Sequence, residues 1–229
     1  MDKRSKLQNN LRILIEEIEK ERLKYSSHQI INLVAVSKYV GCDDIKTLYY
    51  AGHRTFGENK IQDLREKSSL LENLPLQWHM LGTIQKNKIN QLIALKPSMV
   101  QSLDSIELAK ELQIKLEKQN TTLKCLLQVN SSNEITKSGF HIDEAIESYK
   151  KILQIAPNIK LEGIMTIATN TDDKKIIESC FKRTKDIFDK LKDSGAKILS
   201  CGMSNDYKIA IANGANMLRI GSSIFSKSK

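Results

Sequence analysis

A (β/α)8 barrel is the fold class this sequence predicts, and three observations predict it. Short apolar runs alternate with amphipathic segments without a break from residue 32 onward. Eight such runs occur, the number a closed parallel barrel requires. Polar residues collect at the C-terminal end of every run, where parallel barrels carry their working groups. An open doubly wound sheet is the alternative arrangement of the same elements. The 229 residues suit one domain spanning 1–229, and no repeat, low-complexity segment or proline-rich linker marks a boundary.

Ahead of the alternation, residues 4–25 carry Leu7, Leu11, Leu14, Ile15 and Ile18, with Leu23 at the end, as one helical stripe flanked by charge. Strands are expected near 32–38, 54–58, 77–82, 98–103, 123–130, 161–168, 197–203 and 217–221. Helices are expected near 43–51, 60–72, 85–94, 105–119, 141–155, 172–193 and 206–213. No helix is expected after the eighth strand, so the N-terminal helix is assigned to the gap between the eighth strand and the first.

The first strand carries the chemistry. In NLVAVSKY (32–39), Val34, Val36 and Lys38 share one face, and Leu33, Ala35 and Ser37 the other. Both faces are largely apolar, as in a strand buried on both sides. A lysine at its end is partly desolvated, which favours the neutral amine that attacks aldehydes. Taken alone, a lysine that ends a strand and snorkels to water explains the residue better.

The other strand ends then matter. The second gives Gly57-Glu58-Asn59. The third gives His79 and then Gly82 to Asn87. The fourth gives Ser102 and Asp104, where Asp104 or Ser105 suits a helix N-cap. The fifth gives Gln128, Asn130 and a loop, 131–139, containing Lys137; the sixth gives Met165 and Thr166. After the seventh, Gly202-Met203-Ser204-Asn205-Asp206 opens a short helix, and after the eighth come Gly221, Ser222 and Ser223. Backbone N–H groups at such turns bind anions, and the last two strands are the usual place for a phosphate in a barrel. Equally, Ser204 or Asn205 is an ordinary helix cap and Gly221 an ordinary turn residue. Leu218 and Ile220 face the helices, leaving Arg219 on the mouth side. A buried guanidinium needs a partner, either a carboxylate such as Asp104 or the ring nitrogen of a bound heterocycle. Closure of the barrel makes the eighth strand a neighbour of the first. An amine for an aldehyde, a donor for a ring nitrogen and an anion nest together describe pyridoxal 5′-phosphate (PLP).

Other classes are disfavoured. The net charge of +9 comes from scattered lysines, and the basic stretch 174–192 is interleaved with Glu178, Asp186 and Asp189. Basic–aromatic alternation is absent, so a specific nucleic-acid surface is not expected. No apolar run reaches the roughly 18 residues of a membrane span. The N-terminus lacks a secretory apolar core, and a cytoplasmic protein is expected. Cys42, Cys125, Cys180 and Cys201 form no C-x-x-C pair, and the four histidines show no metal-ligand spacing. Cys125 and Cys201 read as buried thiols.

The stretches LVAVSK, TFGENKIQD, WHMLGTIQKNK, VQSLDS, LLQVNSSNEITKSGF, LEGIMTIA and LSCGMSNDYKIAIANGANMLRIGSSIF run in order from residue 33 to 225. With them the chain resembles the pyridoxal phosphate homeostasis protein family, single-domain relatives of the alanine racemase barrel. The resemblance implies that Lys38 forms the internal aldimine, a Schiff base with PLP. It implies that Ser204, Gly221 and Ser222 hold the phosphate and Arg219 the pyridine nitrogen, with Asn59, His79 and Met203 lining the pocket. His79 reads as a hydrogen-bonded packing residue rather than a catalyst. Lys137 is a secondary candidate for aldehyde capture. Three positions depart from the family pattern. Tyr39-Val40-Gly41 replaces threonine-x-proline after the lysine, Ser226 replaces a glycine, and Cys201 replaces a methionine or similar residue. The implied function is buffering or delivery of this vitamin B6 cofactor, to apo-PLP enzymes as partners, by a monomer without robust turnover. A PLP-dependent amino-acid racemase is the alternative, and a PLP-independent barrel enzyme for a phosphorylated metabolite is a third class.

Overall fold

The computed structural model describes residues 2–132, 134 and 137–226. Its strands are β1 (Asn32–Val36), β2 (Thr55–Glu58), β3 (Gln77–Met80), β4 (Met99–Leu103), β5 (Leu123–Asn130), β6 (Phe140–His141), β7 (Ile159–Thr166), β8 (Ile198–Ser200) and β9 (Met217–Ile220). The helices are α1 (Lys3–Arg22), α2 (Cys42–Tyr50), α3 (Ile61–Leu70), α4 (Ile89–Ala94), α5 (Ile106–Lys118), α6 (Ala145–Ile155), α7 (Lys174–Leu191), α8 (Tyr207–Ala212) and α9 (Ser222–Phe225). Neighbouring strands are all parallel. Pairing of β4 with β5 and of β1 with β9 closes β1-β2-β3-β4-β5-β7-β8-β9 into an eight-stranded (β/α)8 barrel. The two-residue β6, absent from the sequence reading, adds only to the tip of β5, through Val129 and Phe140. It occupies the start of the helix expected from 141, which begins instead at Ala145.

Alternation along each strand sorts side chains into two layers. Val34, Met99, Leu126, Met165 and Met217 form a small apolar cluster inside the barrel. Their outward neighbours, among them Ala35, Phe56, Met80, Val100, Leu127, Leu218 and Ile220, join the larger core beneath the helices. Three methionines suit the inner cluster because unbranched side chains fill irregular space.

The N-terminal helix closes the ring as expected. Its buried residues are Leu7, Leu11, Leu14, Ile18 and Glu21, while Ile15 and Leu23 are exposed. The stripe is narrower than the sequence suggested because α1 lies in a slot bounded by α2, α8 and α9. The Asp2 side chain accepts from Ser5 N–H at 2.7 Å and caps it, and Asn10 Nδ2 donates to the Ile224 carbonyl at 3.1 Å. That carbonyl belongs to α9, a four-residue helix after the last strand where none was expected. The turn is too short to show an apolar period.

All four cysteines are free, and Cys125, Cys180 and Cys201 are buried. Among the described residues, no helix is long and apolar enough to cross a membrane, and no cluster of three or more metal-ligating side chains occurs.

Candidate functional site

Lys38 sits just past β1, which ends two residues short of the expected boundary. Ser37 N–H donates to Gly57 O at 3.0 Å, and Val40 N–H returns to Ser37 O at 3.1 Å, turning the chain over the mouth. Lys38 is half-buried. Its Nζ lies 4.7 Å from the centroid of the Tyr39 ring, which is 86% exposed. The departure at Tyr39 thus gives the amine an aromatic face, a cation–π contact of about 0.5–1 kcal/mol at an exposed site.

Strand register brings Arg219 next to this strand. Val34 pairs with Arg219 and Ala35 with Ile220. A Cβ on Gly221 would lie 3.2 Å from the Val36 carbonyl oxygen, so the close approach of β9 to β1 at the mouth admits little more than a glycine there. Arg219 is buried, with one terminal nitrogen donating to Ser200 Oγ at 2.6 Å and the other to the Thr166 carbonyl at 2.8 Å. Among the described residues it forms no ion pair. The carboxylate pairing considered for it is not made: Asp104 stays half-buried at the end of β4, its carboxyl pushed up by burial, while Ser105 caps α5. Burial pulls the guanidinium below its usual value, opposed by the fields of Cys201 and Asp206.

A hydrogen-bonded chain crosses the barrel from this guanidinium. Ser200 Oγ donates to Gln101 Oε1 at 2.7 Å, and Gln101 Nε2 donates to His79 Nδ1 at 2.9 Å. On the other side Thr166 Oγ1 donates to Val129 O at 2.8 Å and meets Ser131 Oγ at 2.7 Å. His79 therefore lies inside the barrel as the far end of a relay that fixes Arg219. Burial pulls its imidazole down to about 4. A group whose folded pKa lies below its unfolded value contributes stability above pH 6.5 and loses it as pH falls from 6.5 to about 4. The whole shift corresponds to about 3 kcal/mol. The expected result is that His79→Gln flattens the acid limb of the stability curve between those values, measured by urea unfolding across pH. An unchanged slope would show that His79 is not buried in its neutral form.

The turns after β8 and β9 meet. Gly202 has φ +95°, and a Cβ there would lie 2.7 Å from Ala210 Cβ, so this turn requires glycine. Asp206, not Ser204 or Asn205, braces it: Asp206 Oδ1 accepts from Met203 N–H at 2.5 Å, and the Asp206 and Tyr207 N–H groups both donate to Met203 O. That frees Ser204, whose Oγ accepts from Ser223 N–H at 3.2 Å and ties the β8 turn to the β9 turn. Ser222, Ser223 and Met203 are exposed. A cavity of about 510 Å³ opens beside the junction, lined by Ser204, Asn205, Ser223, Lys174 and Lys208 together with α1.

The remaining candidates are placed less centrally. Asn59 is half-buried at the exit of β2, and its carbonyl would lie 2.0 Å from a Cβ on Gly82, so the exits of β2 and β3 are pressed together. Lys137 is already engaged, donating to Glu134 Oε1 at 2.8 Å and Ala168 O at 3.1 Å. Asn133, Ile135 and Thr136 of its loop lie outside the described residues. The structure thus places Lys38 just past β1 and Arg219 and Gly221 at the end of the adjacent β9, and joins Ser204 to the Ser222-Ser223 turn. Gln101 and Ser200, which hold Arg219, escaped the sequence reading. Their signal was a polar residue at an inward position of an apolar strand.

Comparison with known proteins defines the class first. Residues 6–229 match the family described as alanine racemase, N-terminal domain. The fold agrees: alanine racemase of Clostridium difficile 630 superposes with a TM-score of 0.76 over 96% of this chain and 56% of that one, at 18% identity. The chain belongs to the pyridoxal phosphate homeostasis protein family, being 49% identical to the protein of that name from Helicobacter pylori (strain ATCC 700392 / 26695) over 93% of this chain and 96% of the relative. The human protein of the same name is 33% identical over 85% of this chain and 76% of its own length. PipY of Synechococcus elongatus, solved with PLP bound, is 27% identical with a TM-score of 0.83, covering 96% of this chain and 100% of that one.

Proposed function

We propose that this protein binds PLP at the barrel mouth, holds it covalently through Lys38, and serves intracellular PLP homeostasis by buffering or delivery. The observation that carries the reading is Arg219, a buried cation without a carboxylate partner among the described residues, one strand from a half-buried lysine. The donor set fits the cofactor. Arg219 would donate to the ring nitrogen, the Ser204 hydroxyl and the Gly221-Ser222 turn would hold the phosphate, and the missing Cβ of Gly221 lets that turn lie close against Val36 of β1. Asn59 and Met203 would flank the ring, and His79 would act from beneath through Gln101. When bound, the cofactor supplies an aldehyde that captures amines and a ring that withdraws electrons. Support comes also from the PLP-bound PipY structure and from the names of the relatives.

The protein is proposed to act as a cytoplasmic monomer without robust turnover, and apo-PLP enzymes are its proposed recipients. A racemase is the competing reading. Against it, a guanidinium at the ring nitrogen keeps that nitrogen unprotonated and weakens the ring as an electron sink. Racemisation also requires acid/base groups on both faces of the substrate carbon; Lys38 can serve one face, and the resemblance implies that the racemase relatives take the other from a tyrosine on a second, β-rich domain. The test mixes PLP-loaded protein with an apo-PLP enzyme and follows reactivation, while a parallel sample with L-alanine in deuterated water reports α-deuterium and D-alanine. Reactivation with only slow exchange is expected. Lys38-dependent racemisation at ordinary turnover, on the order of 1–10³ per second, would make the protein a racemase.

The phosphate assignment has its own check. Pyridoxal lacks the group that the Ser204 and Gly221-Ser222 turns would hold, so it should bind roughly a hundredfold more weakly than PLP, a loss of two charge-assisted hydrogen bonds. Equal affinity for the two in an absorbance titration would place the phosphate elsewhere.

A further inference from the structure

Behind Lys38, on the outer side of the barrel, a buried polar cluster lies where the cofactor cannot reach it. The alternation that turns Lys38 to the mouth turns Ser37 outward, and on β2 Gly57 faces in while Glu58 faces out. Ser37 and Glu58 are both completely buried. Ser37 Oγ donates to Glu58 Oε1 at 2.6 Å. Lys67 of α3, its side chain only 12% exposed, donates to the same carboxylate oxygen at 2.8 Å and to the Ser37 carbonyl at 2.7 Å. That carbonyl is part of the peptide bond joining Ser37 to Lys38.

The pair is costly. Glu58 Oε2 is buried without a hydrogen-bond partner, and burial pushes the carboxyl up against the pull of Lys67 and Ser37. Apolar residues of similar volume commonly stabilise such a position as well or better. What they could not supply is a donor to the Ser37 carbonyl. The β1–β2 register ends at Val36 and Gly57, and the last bond across it is Ser37 N–H to Gly57 O. From there the chain leaves the sheet, and Lys67 takes hold of the next carbonyl.

We propose that the Glu58–Lys67 pair is a positioning device for Lys38: Glu58 aims the Lys67 ammonium at the Ser37 carbonyl, and this fixes the peptide plane from which the Lys38 side chain departs. Lys67 and Glu58 touch neither cofactor nor substrate. The inference rests on Lys38 being the amine that captures PLP. A misplacement of about 1 Å at a reacting group costs up to a hundredfold in rate, so the device acts on the rate of covalent capture, not on the affinity of the phosphate and ring contacts.

The experiment compares Lys67→Met, the double variant Lys67→Met/Glu58→Gln and Lys38→Ala with the unaltered protein. Three quantities are read: the thermal midpoint, the affinity for 4′-deoxypyridoxine phosphate, which has the ring and phosphate but no aldehyde, and the rate of borohydride-trappable capture of PLP. Lys67→Met should slow capture roughly ten- to a hundredfold and keep the analogue's affinity. It should also melt earlier, because Glu58 is left buried and unpaired. The double variant removes that charge as well and should regain the thermal midpoint while capture stays slow. Capture that recovers together with the midpoint, analogue affinity that falls in step with capture, or normal capture by both variants would each reduce the pair to a structural pin. Undiminished capture by Lys38→Ala would instead sink the assignment of Lys38.

Discussion

Replacing Lys38 by alanine is expected to abolish the borohydride-reducible adduct formed with PLP, with its visible absorbance. In the unaltered protein, reduction should place the label on the peptide carrying Lys38. Lys38 and Lys137 are the two candidates for aldehyde capture, and their surroundings separate them. Lys137 Nζ is held by Glu134 Oε1 and Ala168 O, so capture there must break both bonds. Lys38 Nζ lies over the Tyr39 ring and makes no hydrogen bond or ion pair among the described residues. It can turn toward an aldehyde at the cost of one weak contact. The variant should still bind PLP, more weakly, through the phosphate turns and Arg219. Full absorbance in Lys38→Ala, with label on the Lys137 peptide, would move the covalent site to the loop after β5.

The second large effect is expected from Arg219→Met. A hydrogen bond from a charged donor contributes about 1.5–3 kcal/mol, so PLP affinity should fall roughly ten- to a hundredfold in an absorbance titration. The fold should survive. Methionine fills much of the same space, and although Ser200 Oγ and Thr166 O each lose a donor, Ser200 keeps its bond to Gln101. Removing a buried charge from beside apolar side chains offsets part of that loss. Circular dichroism melting should therefore show a change of only a few degrees. A variant that unfolds, or that binds PLP normally once folded, would assign Arg219 to holding β7, β8 and β9 together.

The architecture was legible because its signals are local. Each apolar run is a strand buried on both sides, each amphipathic segment covers one outer face, and eight alternations leave few topologies. The slot for α1 followed from counting. What escaped was short or non-local. The β6 pairing and α9 have no room for a period. Arg219 was recognised as a charge out of place in MLRIG, but its partners Ser200 and Thr166 lie on two other strands, and no spacing announces them. Gln101 is one polar residue in an apolar strand and has meaning only once His79 and Ser200 are known to flank it. In the sequence Glu58 is one of the polar residues at the end of the second strand. Its burial depends on Lys67, nine residues on, arriving from the helix above. The brace of the β8 turn fell to Asp206 rather than Ser204 because a carboxylate three residues on reaches the Met203 N–H, and the serine was left for the neighbouring turn.

The seam between β1 and β9 sets the order in which such a molecule can be completed. Asn32 and Asn216, joined across it, are 184 residues apart along the chain. During synthesis, β1 to β8 can pair with their neighbours as they emerge, but the sheet stays open until Met217–Ile220 arrives to bond both β8 and β1. Until then two edges are unpaired, and unpaired edges invite the strands of other chains. The closing contact is also the least local, so it comes late in folding. Lys38 follows one side of that seam and Arg219 lies on the other. A cofactor held by both would bind only the closed ring and would stabilise it by mass action. In a cell short of cofactor, newly made chains would then spend longer with their edges bare.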